Sequence, residues 1–139
     1  MTGGLYVLLV EVGGTTPTEL EVGALGSRVF TPGWYAYVGS AHGAGGFARI
    51  ERHRSVAEGE RSVRHWHLDY LLGAPASTLG GVVLLPGARE ECLLARTLPG
   101  EPIAGMGASD CDCSGHVLAV RDVGSLLGAI RPAGRSLGQ

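Results

Sequence analysis

Arginine side chains are concentrated in one short stretch of this sequence. The chain carries 11 basic residues and no lysine, so all of them are arginines. Five lie within residues 49–64, beside His53 and His65, namely Arg49, Arg52, Arg54, Arg61 and Arg64. A guanidinium binds phosphate through paired N–H groups. The stretch therefore predicts a phosphate-binding surface, with a solvated helix face as the alternative.

The composition limits the classes of function. Without lysine no lysine Schiff base can form, which excludes lysine-dependent lyase chemistry. The net charge is −2, so attraction to nucleic acid has to come from local arginines rather than from overall charge. We see no signal-peptide pattern and no continuous apolar span, and we expect a cytoplasmic protein without membrane contact.

Two tyrosines stand near glycines in segments predicted to be strands. Tyr6 belongs to the apolar run 5–12, and Tyr37 to the aromatic run 34–40. Gly39 is predicted to end the second strand tightly, so that the Tyr37 hydroxyl faces the start of the next helix. The alternative is that both tyrosines are half-buried strand aromatics.

The remaining elements complete an α/β pattern. Further strands are predicted at 79–86 and 116–123, with a strand or hairpin arm at 20–30. Helices are predicted at 46–54, 65–73 and 87–98, followed by an irregular segment at 99–115 and a short amphipathic end at 124–130. This order predicts a single α/β domain over residues 1–139, with a small central antiparallel or mixed β-sheet flanked by helices.

Four motifs in order resemble a known family. "GLY" at 4–6, "YVG" at 37–39 and Arg49 on a predicted helix resemble the GIY-YIG nuclease superfamily. Within it, "GWYAYVGSA", "HWHLDYLL", "EECLLA" and "SDCDCSGH" resemble a family of stand-alone, archaeal-type GIY-YIG-related domains. The resemblance runs from about residue 4 to about residue 121.

The resemblance implies a GIY-YIG-like fold and metal-dependent endonuclease activity. The expected reaction is hydrolysis of a nucleic-acid phosphodiester, of DNA rather than RNA, with DNA repair as the expected setting. The residues that take the catalytic places are Tyr6, Tyr37, Arg49 and His53. Arg49 would hold the phosphate, and His53 could accept a proton near neutral pH.

The metal site departs from the family pattern. The superfamily holds one Mg²⁺ or Mn²⁺ through a glutamate on the helix after the third strand, and that place falls at or near Arg96 here. Glu90 and Glu91 lie about a turn earlier. The site is either rebuilt from Glu91 and Asp110 or absent, in which case the chain is a non-catalytic nucleic-acid-binding module.

The segment "HWHLDYLL" offers a second polar pair. His65 and Asp69 are neighbours at i,i+4 on a helix, where a carboxylate fixes the imidazole tautomer. We expect Arg52, Arg54, Arg64 and His65 to contact nucleic acid, with Asp69 and Gly39 supporting the site. The alternative is that Asp69 satisfies local hydrogen bonds at a helix start.

Three cysteines and a histidine suggest a zinc site. Cys92, Cys111, Cys113 and His116 are a suitable set for tetrahedral Zn²⁺, and would make the chain a small zinc-stabilised interaction domain. The C-x-C spacing is tighter than usual, and an odd number of cysteines is a poor disulfide framework. The alternative is a structural turn in which Ser109 and Asp110 cap backbone groups.

Overall fold

The fold is a sheet with helices on both faces. The computed structural model describes residues 3–42, 46–60, 67–89, 91–103, 106 and 116–138. The strands are β1 (Gly4–Val12), β2 (Thr18–Glu21), β3 (Ser27–Phe30), β4 (Gly33–Ser40), β5 (Ser77–Pro86), β6 (Glu101–Pro102) and β7 (Val117–Val120). The helices are α1 (Ala48–Ala57), α2 (His67–Leu72), α3 (Glu91–Thr97) and α4 (Val123–Gly138).

Five strands form the main sheet in the order β5-β1-β4-β7-β6, and every neighbouring pair is antiparallel. The hairpin β2–β3 forms a separate two-stranded sheet. The predicted α/β class is confirmed, and the sheet is antiparallel rather than mixed.

β1 lies between β5 and β4 and is buried on both faces. Because successive side chains of a strand point to opposite faces, its even-numbered residues from Tyr6 to Val12 pack with Val56 of α1 and Leu68 of α2. Its odd-numbered residues from Leu5 to Leu9 pack with Leu94 of α3 and Leu126 of α4. We call these the α1/α2 face and the α3/α4 face.

Two element predictions need correction. Residues 20–30 are not one strand, because the chain turns at Gly23–Leu25 between β2 and β3, and Gly23 and Gly26 have φ of 51° and 81°. Positive φ suits glycine, so these two residues make the turn between the two strands.

The C-terminal helix is also longer than the short end predicted at 124–130. Asp122 stabilises the start of α4 by accepting bonds from the backbone N–H groups of Gly124 (3.2 Å) and Ser125 (3.1 Å). The helix then continues through Pro132 to Gly138. None of the helices in the described ranges combines the length and apolar character needed to cross a bilayer.

Candidate functional site

Tyr6 and Gly39 face each other across β1 and β4. A Cβ atom at Gly39 would lie 2.4 Å from Tyr6 Cζ, 2.6 Å from Tyr6 Oη and 2.8 Å from Tyr37 Cε2. These separations are far below van der Waals contact, so only glycine leaves room for the two phenol rings. Gly39 is the next-to-last residue of β4, and its lack of a side chain makes space for the Tyr6 ring, a role that the sequence did not indicate.

His53 completes a cluster of three rings on the α1/α2 face. A hydrogen bond of 2.8 Å joins Tyr6 Oη and His53 Nε2. The ring centroids are 6.1 Å apart for Tyr6 and Tyr37, 5.7 Å for Tyr6 and His53, and 5.9 Å for Tyr37 and His53. Tyr6 and His53 have 0% of their surface exposed, and Tyr37 has 8%. All three residues are therefore buried, and Tyr37 keeps the largest exposed fraction of the three.

The surroundings of His53 favour its neutral form. Burial lowers the pKa of His53 from its ordinary 6.5 to about 4. The charges of Arg52 and Arg49 act in the same direction, while Asp69 opposes them. At neutral pH the ring is an uncharged imidazole, which carries one N–H donor and one acceptor nitrogen.

Arg49 lies one helical turn before His53 on α1 and is half-buried. Its Nη1 donates a hydrogen bond of 2.6 Å to the carbonyl of Ser40, the last residue of β4. This bond holds the guanidinium at the same end of β4 as Tyr37 and Gly39. The four residues predicted to be catalytic therefore come from β1, β4 and α1 and lie at one end of the sheet.

Arg52 is held by a buried carboxylate. Its Nη1 and Nη2 donate to Asp69 Oδ1 and Oδ2 at 3.0 Å and 2.8 Å, and Asp69 is fully buried on α2. The predicted pairing of Asp69 with His65 is not tested, since His65 and Arg64 lie outside the described residues. We expected Asp69 to support the site. In the structure it binds Arg52, which directly precedes His53 in the sequence.

Arg54 has a different environment. Its guanidinium forms ion pairs with Glu51, Glu58 and Glu60 on the exposed side of α1. These three carboxylates surround the cation that the sequence suggested as a nucleic-acid contact. The role predicted for Arg54 stays a prediction, although its charge is offset locally.

Residues 5–139 match the family described as "Domain of unknown function DUF123". The chain belongs to this family. Comparison with curated proteins and with solved structures gives no match in either case. The family description states no activity, so membership in the GIY-YIG superfamily stays a proposal.

The DUF123 chain does not show a metal-binding cluster among its described residues. No three of its described histidine, cysteine, aspartate and glutamate side chains group together. Mg²⁺ and Mn²⁺ prefer carboxylate and water oxygens, and the buried carboxylate of Asp69 has both oxygens bonded to Arg52. The described residues alone do not fit the expected cation. Glu91 lies in α3, but its side chain and all of Asp110 are outside the described part.

The zinc prediction also falls mostly outside the described part of the DUF123 chain. Cys111, Cys113 and the side chain of Cys92 are not described. His116 is 3% exposed and comes directly before β7, where its carbonyl accepts a bond of 3.0 Å from the Val38 N–H. Its position at the sheet is consistent with either a ligand or a buried structural histidine.

The contact between Arg52 and Asp69 is a feature of the candidate site that sequence reasoning missed in this DUF123 domain. The signal for it was a carboxylate within the apolar run "LDYLL", because a buried aspartate is almost always paired with a cation. Arg52 lies 17 residues away in the chain, and no rule of local spacing connects the two positions.

Proposed function

We propose that this DUF123 domain binds nucleic acid at the end of β4 and hydrolyses a phosphodiester there, as its resemblance to GIY-YIG nucleases implies. The observation that carries the proposal is the packing of Tyr6, Tyr37 and His53 against one another, with Arg49 one turn away. Burying a tyrosine–histidine pair costs desolvation that apolar residues would avoid. That cost favours a chemical role over a packing role.

Arg49 and Tyr37 are the residues that we assign to the substrate. Both lie at the end of β4, and both have some exposed surface. A guanidinium there can donate to phosphoryl oxygens and offset the negative charge that develops during attack. The Tyr37 hydroxyl can hydrogen-bond to the same phosphate or to the attacking water.

Tyr6 and His53 are the pair that we assign to proton transfer. The attacking water gives a proton to Tyr37, Tyr37 passes its own to Tyr6, and Tyr6 passes its own to His53 Nε2. The hydroxide oxygen then bonds to phosphorus, the bond to the leaving oxygen breaks, and that oxygen takes a proton from solvent. An anionic phosphate near the rings also raises the pKa of His53, so the base becomes stronger when substrate is present.

A second candidate is a nucleic-acid-binding module without cleavage. It is favoured by one observation, the complete burial of Tyr6 and His53, which keeps the proton acceptor away from solvent. In this case Arg49 and Tyr37 would still hold a phosphate, and the buried pair would support them. The two candidates share a binding surface and differ only in the reaction.

The test is a cleavage and binding assay on single-stranded, duplex and branched DNA and on RNA, with Mg²⁺, with Mn²⁺ and with chelator. We expect cleavage by the wild-type chain, and a loss on the order of 10²–10⁴ in rate for Arg49→Ala and for Tyr37→Phe. The matched control is Arg121→Ala, which removes an exposed arginine after β7, at the opposite end of the sheet.

The outcomes separate the candidates. Cleavage that Arg49→Ala abolishes and Arg121→Ala preserves supports hydrolysis at this site, provided that circular dichroism shows intact folding. Binding that weakens with salt, depends on Arg49 and leaves every substrate intact supports the binding module. A wild-type chain that neither binds nor cleaves any of these nucleic acids contradicts both.

A further inference from the structure

The two edges of the main sheet differ in length and in chemistry. β5 and β6 are the outer strands of the order β5-β1-β4-β7-β6. β6 has only two residues, Glu101 and Pro102, and an edge strand that is short and carries a charge or a proline resists pairing with another chain. β5 has ten residues, none of them charged, and its one proline is the last residue. The β5 edge therefore lacks the features that protect the β6 edge.

The backbone of β5 presents hydrogen-bonding groups on its outer side. The Gly87 N–H donates to the Gly3 carbonyl at 3.1 Å, so the backbone of Gly87 faces β1. Backbone groups alternate between the two sides of a strand, and the pairing with β1 is regular over residues 81–86. The N–H and C=O groups of Val82 and Leu84 therefore point away from β1, toward the edge of the sheet.

Val82 and Leu84 also expose apolar side chains at this edge. They pair with Leu8 and Tyr6 of β1, whose side chains lie on the α1/α2 face, and they are 38% and 48% exposed. A groove of about 400 Å³ is lined by Val82, by the part of β5 before it and by the end of α1. Two apolar residues spaced by two along the strand thus form a strip that one more strand would cover.

We propose that β5 pairs antiparallel with β5 of a second copy of this chain, with a two-fold axis at Val83. In this register Val82 of each copy lies opposite Leu84 of the other. The outward-facing backbone groups of these residues then bond to each other, and their side chains cover each other on the α1/α2 face. Pro86, which has no N–H to leave unpaired, lies opposite Gly80 at the end of the overlap.

Symmetry and charge favour a second copy over a strand of another protein. The apolar strip is self-complementary, because a two-fold axis presents the same two residues in reverse order. The two-fold also brings the end of one β5, which the exposed Arg89 follows, toward the start of the other, where Glu58 lines the groove. That glutamate is one of three that surround Arg54. The group is net negative and complements an arginine.

The pairing would join two five-stranded sheets into one sheet of ten strands. A two-fold axis that relates neighbouring antiparallel strands is perpendicular to the sheet, so the α1/α2 faces of both copies lie on the same side. The dimer would thus present two copies of the surface that holds Arg49 and Tyr37 on one side. The inference does not depend on the proposed function, because the pairing can be measured without any substrate.

A lysine at the edge is the first test, since natural edge strands use lysine to block pairing. Val82→Lys places a charge opposite Leu84 and enters the symmetric interface twice. The matched control is Val29→Lys, which changes the same residue type on β3, where it is 55% exposed. Sedimentation equilibrium measures the dimer dissociation constant of the full chain. We expect dimers for the wild type and Val29→Lys, and a dissociation constant about 100-fold higher or more for Val82→Lys.

A cysteine at the two-fold axis tests the register. The two copies of Val83 would face each other in a pair without hydrogen bonds, with Cα atoms about 4.5 Å apart, which a disulfide can span. The control is Leu84→Cys, which is more exposed but whose copies would lie about 7–8 Å apart on the diagonal. Mass spectrometry of peptides after mild oxidation distinguishes these links from those of the native cysteines. We expect Val83→Cys to link to its own copy and Leu84→Cys not to.

Dimers that Val82→Lys dissociates and Val83→Cys links support the proposal. A wild type that stays monomeric overturns it and leaves the edge to a strand of another protein, and aggregates of no fixed size overturn it as well. A dimer that survives Val82→Lys, or that Leu84→Cys links better than Val83→Cys, also overturns it, because the contact then differs from the one proposed. Circular dichroism checks folding. If Val82→Lys does not fold, Leu84→Lys replaces it with the same expected loss.

Discussion

Helices cover both faces of the sheet, and the side chains enclosed on the two sides differ in kind. On the α3/α4 face, Leu5 and Val7 of β1 meet Leu94 and Leu126 in a cluster of apolar residues. On the α1/α2 face, Tyr6 instead meets His53, which directly follows Arg52 of the Arg52–Asp69 pair. Neighbouring residues of one strand therefore enter an apolar core on one side and a polar network on the other.

The two faces differ in what their side chains contribute to the protein. An apolar cluster stabilises through area removed from water, and it tolerates substitutions that preserve volume. A buried polar network contributes less net stability, because desolvation offsets most of its attraction. Its members depend on one another, since each buried group needs its partner. The α1/α2 face therefore holds the candidate site beside an apolar cluster of its own, whereas the α3/α4 face holds an apolar cluster.

The largest effect on stability is expected from Gly39→Ala, compared with Gly81→Ala, because the two glycines face opposite sides of the sheet. Gly39→Ala would place a Cβ 2.4 Å from Tyr6 Cζ, and neither ring can move freely inside the cluster. We expect a loss of about 3 kcal/mol in the free energy of unfolding, measured by urea denaturation. Gly81→Ala on β5 is the control, because its Cβ first meets Leu9 Cδ1 at 3.5 Å on the α3/α4 face. Equal losses in the two variants would contradict the comparison.

The next effect is a pH dependence of the free energy of unfolding, which His53 on the α1/α2 face causes. The pKa of His53 is lowered to about 4 in the folded chain and is ordinary in the unfolded chain, so the unfolded chain binds the proton more readily as pH falls below about 6.5. Stability from this group is complete above that pH and is lost toward pH 4. We expect the free energy of unfolding to be about 2 kcal/mol lower at about pH 5 than at about pH 7.

Two variants separate the effect of protonating His53 from a general loss of stability. His53→Gln should remove most of that pH difference. Leu94→Ala opens a cavity on the α3/α4 face and should lower stability by about 2–5 kcal/mol at both pH values while keeping the difference. A His53→Gln chain that keeps the full pH dependence would mean that other groups cause it.

Local pattern predicted much of this architecture. The apolar run containing Tyr6 and the aromatic run containing Tyr37 are strands, as predicted. Arg49 and His53 lie four residues apart on one helix, also as predicted. These features depend on periodicity within a segment, which a sequence displays directly. The resemblance supplied the expectation that the three segments meet.

Features that depend on strand register and tertiary packing could not be predicted in the same way. The reason for Gly39 lies in its pairing with Tyr6, which a sequence does not display. Asp69 is bonded to Arg52 on another helix, a partner that helical spacing does not indicate, while its predicted pairing with His65 stays a prediction. In both cases the decisive partner is distant along the chain.

A smaller effect on stability is expected from two substitutions at adjacent residues of β1, one that removes a buried hydroxyl and one that adds a buried hydroxyl. Tyr6→Phe removes the hydroxyl bonded to His53, and we expect a loss of about 1–2 kcal/mol because a buried acceptor loses its partner. Val7→Thr adds a hydroxyl to the fully buried α3/α4 face, and we expect a similar loss for the opposite reason. Urea denaturation measures both, and a neutral Val7→Thr would show that the apolar face accommodates polar atoms.

The smallest effect is expected at Arg54, on the exposed side of α1. Its ion pairs with Glu51, Glu58 and Glu60 are open to water and screened by salt. We expect Arg54→Ala to leave the urea midpoint unchanged within error, and to leave nucleic-acid affinity unchanged where Arg49→Ala lowers it. A fluorescence-anisotropy titration at low and high salt measures the affinity. A clear loss of affinity in Arg54→Ala would extend the binding surface beyond the end of β4, because it would mean that nucleic acid displaces the three glutamates.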